Sequence, residues 1–183
     1  MISSLSTQII LGAWLVFLVV WLVASVGAKR TRRRGWSWLF IQIAFAFLIL
    51  YLIDHHSFNG FDKGIPALAP LGALFVVLGI ALAIWARFYL GRNWGMPMSR
   101  RVEPELVTSG PYSYIRHPIY TGVLLAMLGS ALATGLWWLI LFGMFAGYFI
   151  YGASVEERHM ASEFPGTYPA YKARTKMLIP FLF

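Results

Sequence analysis

With 183 residues, 59% of them hydrophobic and only 12% charged, and a mean hydropathy of +0.68, the chain is far more apolar than a soluble domain, in which about a quarter of residues are charged. This composition excludes a second soluble core and any Rossmann-sized cofactor domain, and the lack of cysteine excludes disulfides, thiolate nucleophiles and cysteine-held metals. The 15 Lys and Arg against 7 Asp and Glu leave a formal net charge of +8, whose meaning depends on where the bases fall.

In chain order, five apolar stretches reach or approach the roughly 20 residues that a bilayer core requires: 9–28, 38–53, 66–90, 118–133 and 136–155. Each is expected to be a helix, because backbone groups in lipid must pair within their own segment and the runs are too continuous for alternating barrel strands. The fold expected is an all-α integral membrane protein of five transmembrane helices forming one domain over 1–183. Residues 1–90 supply a three-helix part, and 91–183 a cofactor-binding part with a helical hairpin and a C-terminal tail. The first stretch has no Lys or Arg ahead of it and is followed by Lys29, Arg30, Arg32, Arg33 and Arg34, so it is expected to be retained as a span, not cleaved as a signal peptide. That basic cluster, in a six-residue loop, sets topology and meets anionic headgroups. Asp54-His55-His56 follows the second stretch; adjacent histidines do not share a helix face and no third ligand is near, so no metal is assigned. Every Lys and Arg except Lys63 falls on one side of the predicted spans, which the positive-inside rule makes cytoplasmic. The N-terminus is then outside and the C-terminus inside, and the pI of about 10.1 follows from topology without any nucleic-acid partner.

Gly122 and Gly129 on the fourth stretch, and Gly143 and Gly147 on the fifth, predict close approach to neighbouring helices, while Trp137 and Trp138 serve packing or the interface. Pro118 suits the first turn of the fourth helix and puts His117 at its entry, where unpaired amides and the positive dipole end favour an anionic or electron-rich ligand group. Only Thr134-Gly135 joins the last two helices, so they run antiparallel. Arms of roughly 25 to 30 Å then return Glu156 to the level of His117. The Glu156-Glu157 pair is opposed by the helix dipole and by mutual repulsion, and so requires a cation: Arg116 or Arg158 in a salt bridge, or the ammonium or sulfonium of a ligand. Beyond the pair the helix continues to Phe164, Pro165-Gly166 breaks it, and Tyr168, Tyr171 and Arg174 follow at spacings of three. This amphipathic tail suits an interfacial anchor and also a lid that excludes water from the cytoplasmic mouth.

Together, Leu106-Val107-Thr108-Ser109-Gly110-Pro111-Tyr112, Arg116-His117-Pro118-Ile119-Tyr120-Thr121-Gly122, Glu156-Glu157, Phe164, Tyr168, Tyr171 and Pro180 resemble the isoprenylcysteine carboxyl methyltransferase family and its broad prokaryotic relatives, over roughly the C-terminal half. The resemblance implies a methyltransferase dependent on S-adenosylmethionine, with the cofactor between the last two helices and the tail. Carried over by position, Leu106, Val107, Tyr112, His117, Pro118, Ile119, Tyr120 and Glu156 match the cofactor-contacting residues, and Glu157 the second carboxylate. Two departures stand out. Gly152 occupies the place of an arginine that holds the substrate in members acting on prenylcysteine, so that substrate is not carried over. A Phe-Gly pair becomes Phe164-Pro165-Gly166, with the distance to Tyr168 unchanged. The activity expected is methyl transfer by in-line displacement at the cofactor's sulfonium, to a lipophilic small molecule or lipid arriving from the bilayer. No catalytic base is assigned; for an amine, thiol or phenol nucleophile, Glu157 and His117 are the candidate acceptors. Two alternatives are an NADPH-dependent membrane reductase of the sterol reductase type, which has a similar C-terminal hairpin, and a non-catalytic lipid-binding or assembly protein. Methyl acceptor and oligomeric state are left open.

Overall fold

A computed structural model describes residues 2–25, 65–94, 104–135 and 138–183; the expected second span, the Lys29 to Arg34 cluster and Asp54-His55-His56 lie outside them. The described residues form α1 (Ile2–Ser25), α2 (Ala69–Leu90), α3 (Pro118–Thr134), α4 (Trp138–Glu163) and α5 (Tyr168–Arg174), with 3-10 turns at Pro66–Leu68, Gly91–Asn93 and Gly110–Ser113. Among them there is no strand, only an isolated parallel bridge between Ile115 and Lys176. Three segments, Leu5–Ala24, Pro66–Leu90 and Trp138–Glu163, are long and apolar enough to cross a bilayer, while Pro118–Thr134 is a shorter apolar helix. At about 1.5 Å per residue α3 is roughly 25 Å long.

Helix boundaries follow local chemistry. Pro66 and Pro118 open their helical segments, where a missing N–H removes no intrahelical bond. Gly91, at φ +51°, closes α2 in a conformation that other residues rarely adopt. Buried Arg87 donates to the Gly91 carbonyl at 2.6 Å and to the Ala24 carbonyl at 2.5 Å, and its guanidinium lies 4.7 Å from the centre of the Trp94 ring. One cation thus serves the negative dipole ends of both α1 and α2, which finish side by side. The Ile65 N–H donates to the Leu132 carbonyl at 2.9 Å, which pairs the start of α2 with the end of α3 and makes them antiparallel.

The α2–α3 contact is backbone against backbone. Gly72 faces Gly129 and Gly79 faces Gly122, and a Cβ added at any of the four would come within 3.0 Å of the facing carbonyl oxygen. The close approach expected at Gly122 and Gly129 is therefore made, and its partners are two glycines on α2. At Gly143 and Gly147 an added Cβ meets nothing within 4 Å among the described residues, so the small-residue pair of α4 makes no such contact with them. α1 covers the seam with Ile10 against Ala73, Val76, Ile80 and Ala126. Trp14 donates to Ser130 at 3.1 Å and stacks on Trp138 with ring centres 5.8 Å apart, tying α1 to α3 and α4. Tyr120, Val123, Leu124 and Met127 of α3 pack with Leu141, Phe149 and Ala153 of α4 in a second cluster. Outward-facing Leu11, Leu15, Leu18 and Leu22 leave α1 an apolar outer face suited to lipid.

The glycine seam gives a direct test. Gly79→Val forces the backbones of α2 and α3 apart and is expected to destabilise the protein by about 1–3 kcal/mol, read as a lower Tm in detergent. Gly143→Ala, whose new methyl meets nothing within 4 Å among the described residues, is expected to leave Tm unchanged or slightly raised.

Candidate active site

The segment leading into α3 is held by the C-terminal tail. It begins at Gly110, whose φ of +59° and whose missing Cβ leave room for the Tyr89 ring that lies against it. After this turn the chain runs beside residues 176–178: the Arg116 N–H donates to the Lys176 carbonyl at 2.8 Å and the His117 N–H to the Met177 carbonyl at 3.1 Å. Thr121, one turn into α3, donates its hydroxyl to the Leu178 carbonyl at 2.7 Å. The entry of α3 therefore carries fewer open amides than the sequence implies. His117 has spent its N–H on the tail and Pro118 has none, which leaves Ile119 and Tyr120 as the first-turn amides whose acceptors would lie ahead of the helix.

Beside this entry the end of α4 brings up the two carboxylates, and the structure gives them different surroundings. Glu157 is 4% exposed and takes a 2.7 Å bond from Arg116 Nε on one oxygen and a 2.7 Å ion pair from Lys172 on the other. Arg116 also donates to the Lys172 carbonyl at 3.3 Å and to that of Thr175, so it satisfies the carbonyls that end α5. Of the two cations considered, Arg116 makes the salt bridge; Arg158 turns its Nε back to the Ser154 carbonyl at 3.2 Å. Glu156, with its side chain 27% exposed, accepts the Tyr120 hydroxyl at 2.7 Å on one oxygen and presents the other to His117 Nδ1 at 3.4 Å. His117 Nε2 lies 3.6 Å from Glu157 and, though buried, makes no hydrogen bond. Its ring stacks on Tyr120 with centres 5.4 Å apart, and Tyr120 stacks on Phe149 at 4.4 Å, a parallel aromatic wall running from the cluster into the core.

Burial, the largest single influence on His117, favours its neutral form. The hydrogen-bonding and charge of Glu156 and Glu157 together outweigh burial and raise its pKa above 6.5. Tyr171, buried in α5, donates its hydroxyl to the Tyr112 carbonyl at 2.8 Å, and burial pushes its pKa up to about 12 although Arg116 and Arg174 oppose this. Both Tyr168 and Tyr171 face inward, so the aromatic side of α5 docks on the protein and its outer side carries Lys172 and Arg174.

Of the residues singled out from the sequence, His117, Tyr120, Glu156 and Glu157 meet directly. Pro118 is fully buried behind them, Ile119 packs against the α3–α4 core, and Tyr112 joins through Tyr171. Leu106 and Val107 lie half-buried in the irregular segment ahead of Gly110. Three residues were given no role from the sequence: Lys172; Thr121, which stood only within the quoted motif; and Asn93, whose Nδ2 donates to Glu105 at 2.5 Å beside Leu106. Lys172 had a visible signal, one residue past Tyr171 in a tail already expected to fold over the site; Asn93 had none. An apolar recess of about 220 Å³, lined by Leu82, Trp85, Pro111, Tyr114, Ile115, Thr121 and Pro180, opens next to this segment and includes no residue of the charged cluster.

Two outcomes follow from these surroundings. Glu157→Gln leaves Arg116 buried without its counter-charge and is expected to destabilise the fold by on the order of 3 kcal/mol, whereas Glu156→Gln, whose neighbour His117 can shed its proton, is expected to lower Tm less. Because the folded pKa of His117 is raised, its stabilising charge is fully present below the unfolded value of 6.5 and is lost as pH rises through the folded value. A Tm series from about pH 6 to 9 should therefore fall with rising pH, and His117→Gln should remove that component of the slope.

Residues 68–166 match the family model described as phospholipid methyltransferase. The chain is 32% identical over 154 residues to the cobalt-zinc-cadmium resistance protein CzcN of Cupriavidus metallidurans, covering 83% of this chain and 66% of the relative. It is 24% identical over 181 residues to methanethiol S-methyltransferase 2 of Bradyrhizobium diazoefficiens, covering 97% and 60%. With the protein-S-isoprenylcysteine O-methyltransferase of Schizosaccharomyces pombe it shares 28% identity over 116 residues, 59% of this chain and 48% of that one. The chain thus spans about two thirds or less of the length of these relatives. The matched region runs from α2 through the glycine seam and the His117 helix entry to both glutamates, and the chain belongs to the phospholipid methyltransferase family.

Proposed function

We propose that this protein is an integral membrane methyltransferase that uses S-adenosylmethionine, with its site on the cytoplasmic face and a lipophilic acceptor entering from the bilayer. The observation that carries this is the unequal treatment of two adjacent carboxylates: Glu157 is neutralised by Arg116 and Lys172, while Glu156 is kept partly exposed beside His117 by the Tyr120 hydroxyl.

The residues fit the cofactor's chemistry. Glu156 suits an ammonium, the Ile119 and Tyr120 amides at the α3 entry suit a carboxylate, and the His117–Tyr120–Phe149 wall offers an aromatic surface. When bound, S-adenosylmethionine supplies a methyl group already activated on sulfur. What remains for the chain is to bind, orient and exclude water, and orientation alone contributes several kcal/mol. α5 serves as the lid, since Arg116 and Lys172 fasten it to the end of α4 through Glu157. Committed to two cations, Glu157 is a positioning residue and a poor proton acceptor. Gly152, buried four residues before Glu156, offers no positive charge to an acceptor carboxylate, so an uncharged acceptor or a small thiol is favoured over prenylcysteine. Relatives named as methyltransferases favour methyl transfer over nicotinamide-dependent reduction.

Calorimetric titration of the detergent-purified chain with S-adenosylhomocysteine tests the proposal. Micromolar binding is expected, weakened at least tenfold, about 1.4 kcal/mol, in Glu156→Gln. A well-folded protein that binds neither S-adenosylhomocysteine nor S-adenosylmethionine sinks it.

A further inference from the structure

The His117 side chain faces both carboxylates at or beyond the long end of hydrogen-bonding range, and its Nε2 has no hydrogen-bond partner. Its nitrogens stand 3.4 Å from Glu156 and 3.6 Å from Glu157, against the 2.7 Å bonds that Tyr120 makes to Glu156 and Arg116 to Glu157. Its backbone N–H is tied to Met177, so the ring alone is free to respond to a ligand. An imidazolium held this way is retained by charge and by stacking on Tyr120, and a cation able to bond Glu156 directly displaces its influence at little loss.

We infer that His117 is a built-in placeholder for the ligand's cation: the imidazolium balances Glu156 when the site is empty, and gives up its proton when a ligand ammonium takes that carboxylate. This rests on the proposed function and deepens it by naming how the site stays neutral as a charged ligand enters. The balance is simple. One N–H bond of the imidazolium breaks, its electron pair remains on the ring nitrogen, and the proton passes to buffer while the ammonium replaces the lost charge.

The groups around the ring determine this outcome. From α4 come Glu156 and Glu157; from the segment before α3, Arg116; from α3, Tyr120; and from α5, Lys172 on Glu157, with Tyr168 close enough to feel both Glu157 and Arg116. Glu157 is already shared by Arg116 and Lys172, so once Glu156 serves the ligand no carboxylate is left chiefly to His117. Burial then dominates and the neutral ring is favoured. Retaining the proton would place two cations on one carboxylate in a site screened from water.

The test is calorimetry on the full chain in detergent at about pH 6.5, where the imidazolium is populated, in phosphate and in Tris, whose ionisation heats differ. Titration with S-adenosylhomocysteine, which carries an ammonium, is expected to release about one proton. 5′-Methylthioadenosine, which keeps the nucleoside and lacks the ammonium, is expected to bind without release, and so is S-adenosylhomocysteine on His117→Gln. Binding of S-adenosylhomocysteine with no buffer dependence, or with release unchanged in His117→Gln, overturns the inference and leaves the methyltransferase proposal standing. No binding to the wild-type chain overturns both.

Discussion

The arrangement depends on one buried ion pair, Arg116 to Glu157. Its two halves come from the segment before α3 and from the end of α4, and the same guanidinium reaches the carbonyls that end α5. Three pieces of chain distant in sequence are thereby fixed at one point. Charges so buried are tolerated only where every partner is supplied. Here Lys172 takes the second carboxylate oxygen and the carbonyls of Lys172 and Thr175 accept from Nη1 of the guanidinium. Neutralisation at Glu157 also gives its neighbour a separate task. Two adjacent carboxylates in the same surroundings would repel one another, whereas these two point into different surroundings, Glu157 to Arg116 and Lys172 and Glu156 to Tyr120 and His117.

A second constraint is the closeness of α2 and α3. Glycine facing glycine lets two backbones touch, and the contact leaves the opposite face of α3 to receive α4. His117 and Tyr120 then look toward Glu156, and the Tyr120–Phe149 stack carries the site's rigidity into the core. The tail adds the third wall. Its backbone bonds to Arg116 and His117 consume donors that would otherwise face the site, so the chemistry there belongs to side chains more than to the open end of a helix.

Much of this was legible in the chain. Apolar run lengths marked Pro66–Leu90 and the last hairpin, Pro118 marked the start of α3, and the short join to α4 required that Glu156 return to His117. These signals are local or follow from rigid helix geometry, and so survive without knowledge of packing. Other features were not legible. The glycines that receive α3 lie on α2, some fifty residues away, and any small residue on α4 looked equally suitable. That Arg116 and not Arg158 takes Glu157 depends on which way one helical turn faces. Asn93, bonded to Glu105 across a gap in the sequence, carries no pattern of its own.

The sequence by itself determined that this is an apolar helical chain with a charged cluster at one end of its last hairpin, because hydropathy, proline position and helix rise act over short distances. Only the tertiary structure decided which carboxylate is sealed and which is open. That difference arises from Lys172 and Arg116 converging on Glu157 from separate elements, and from Tyr120 holding Glu156 toward His117, contacts that exist only once three helices and the tail have met.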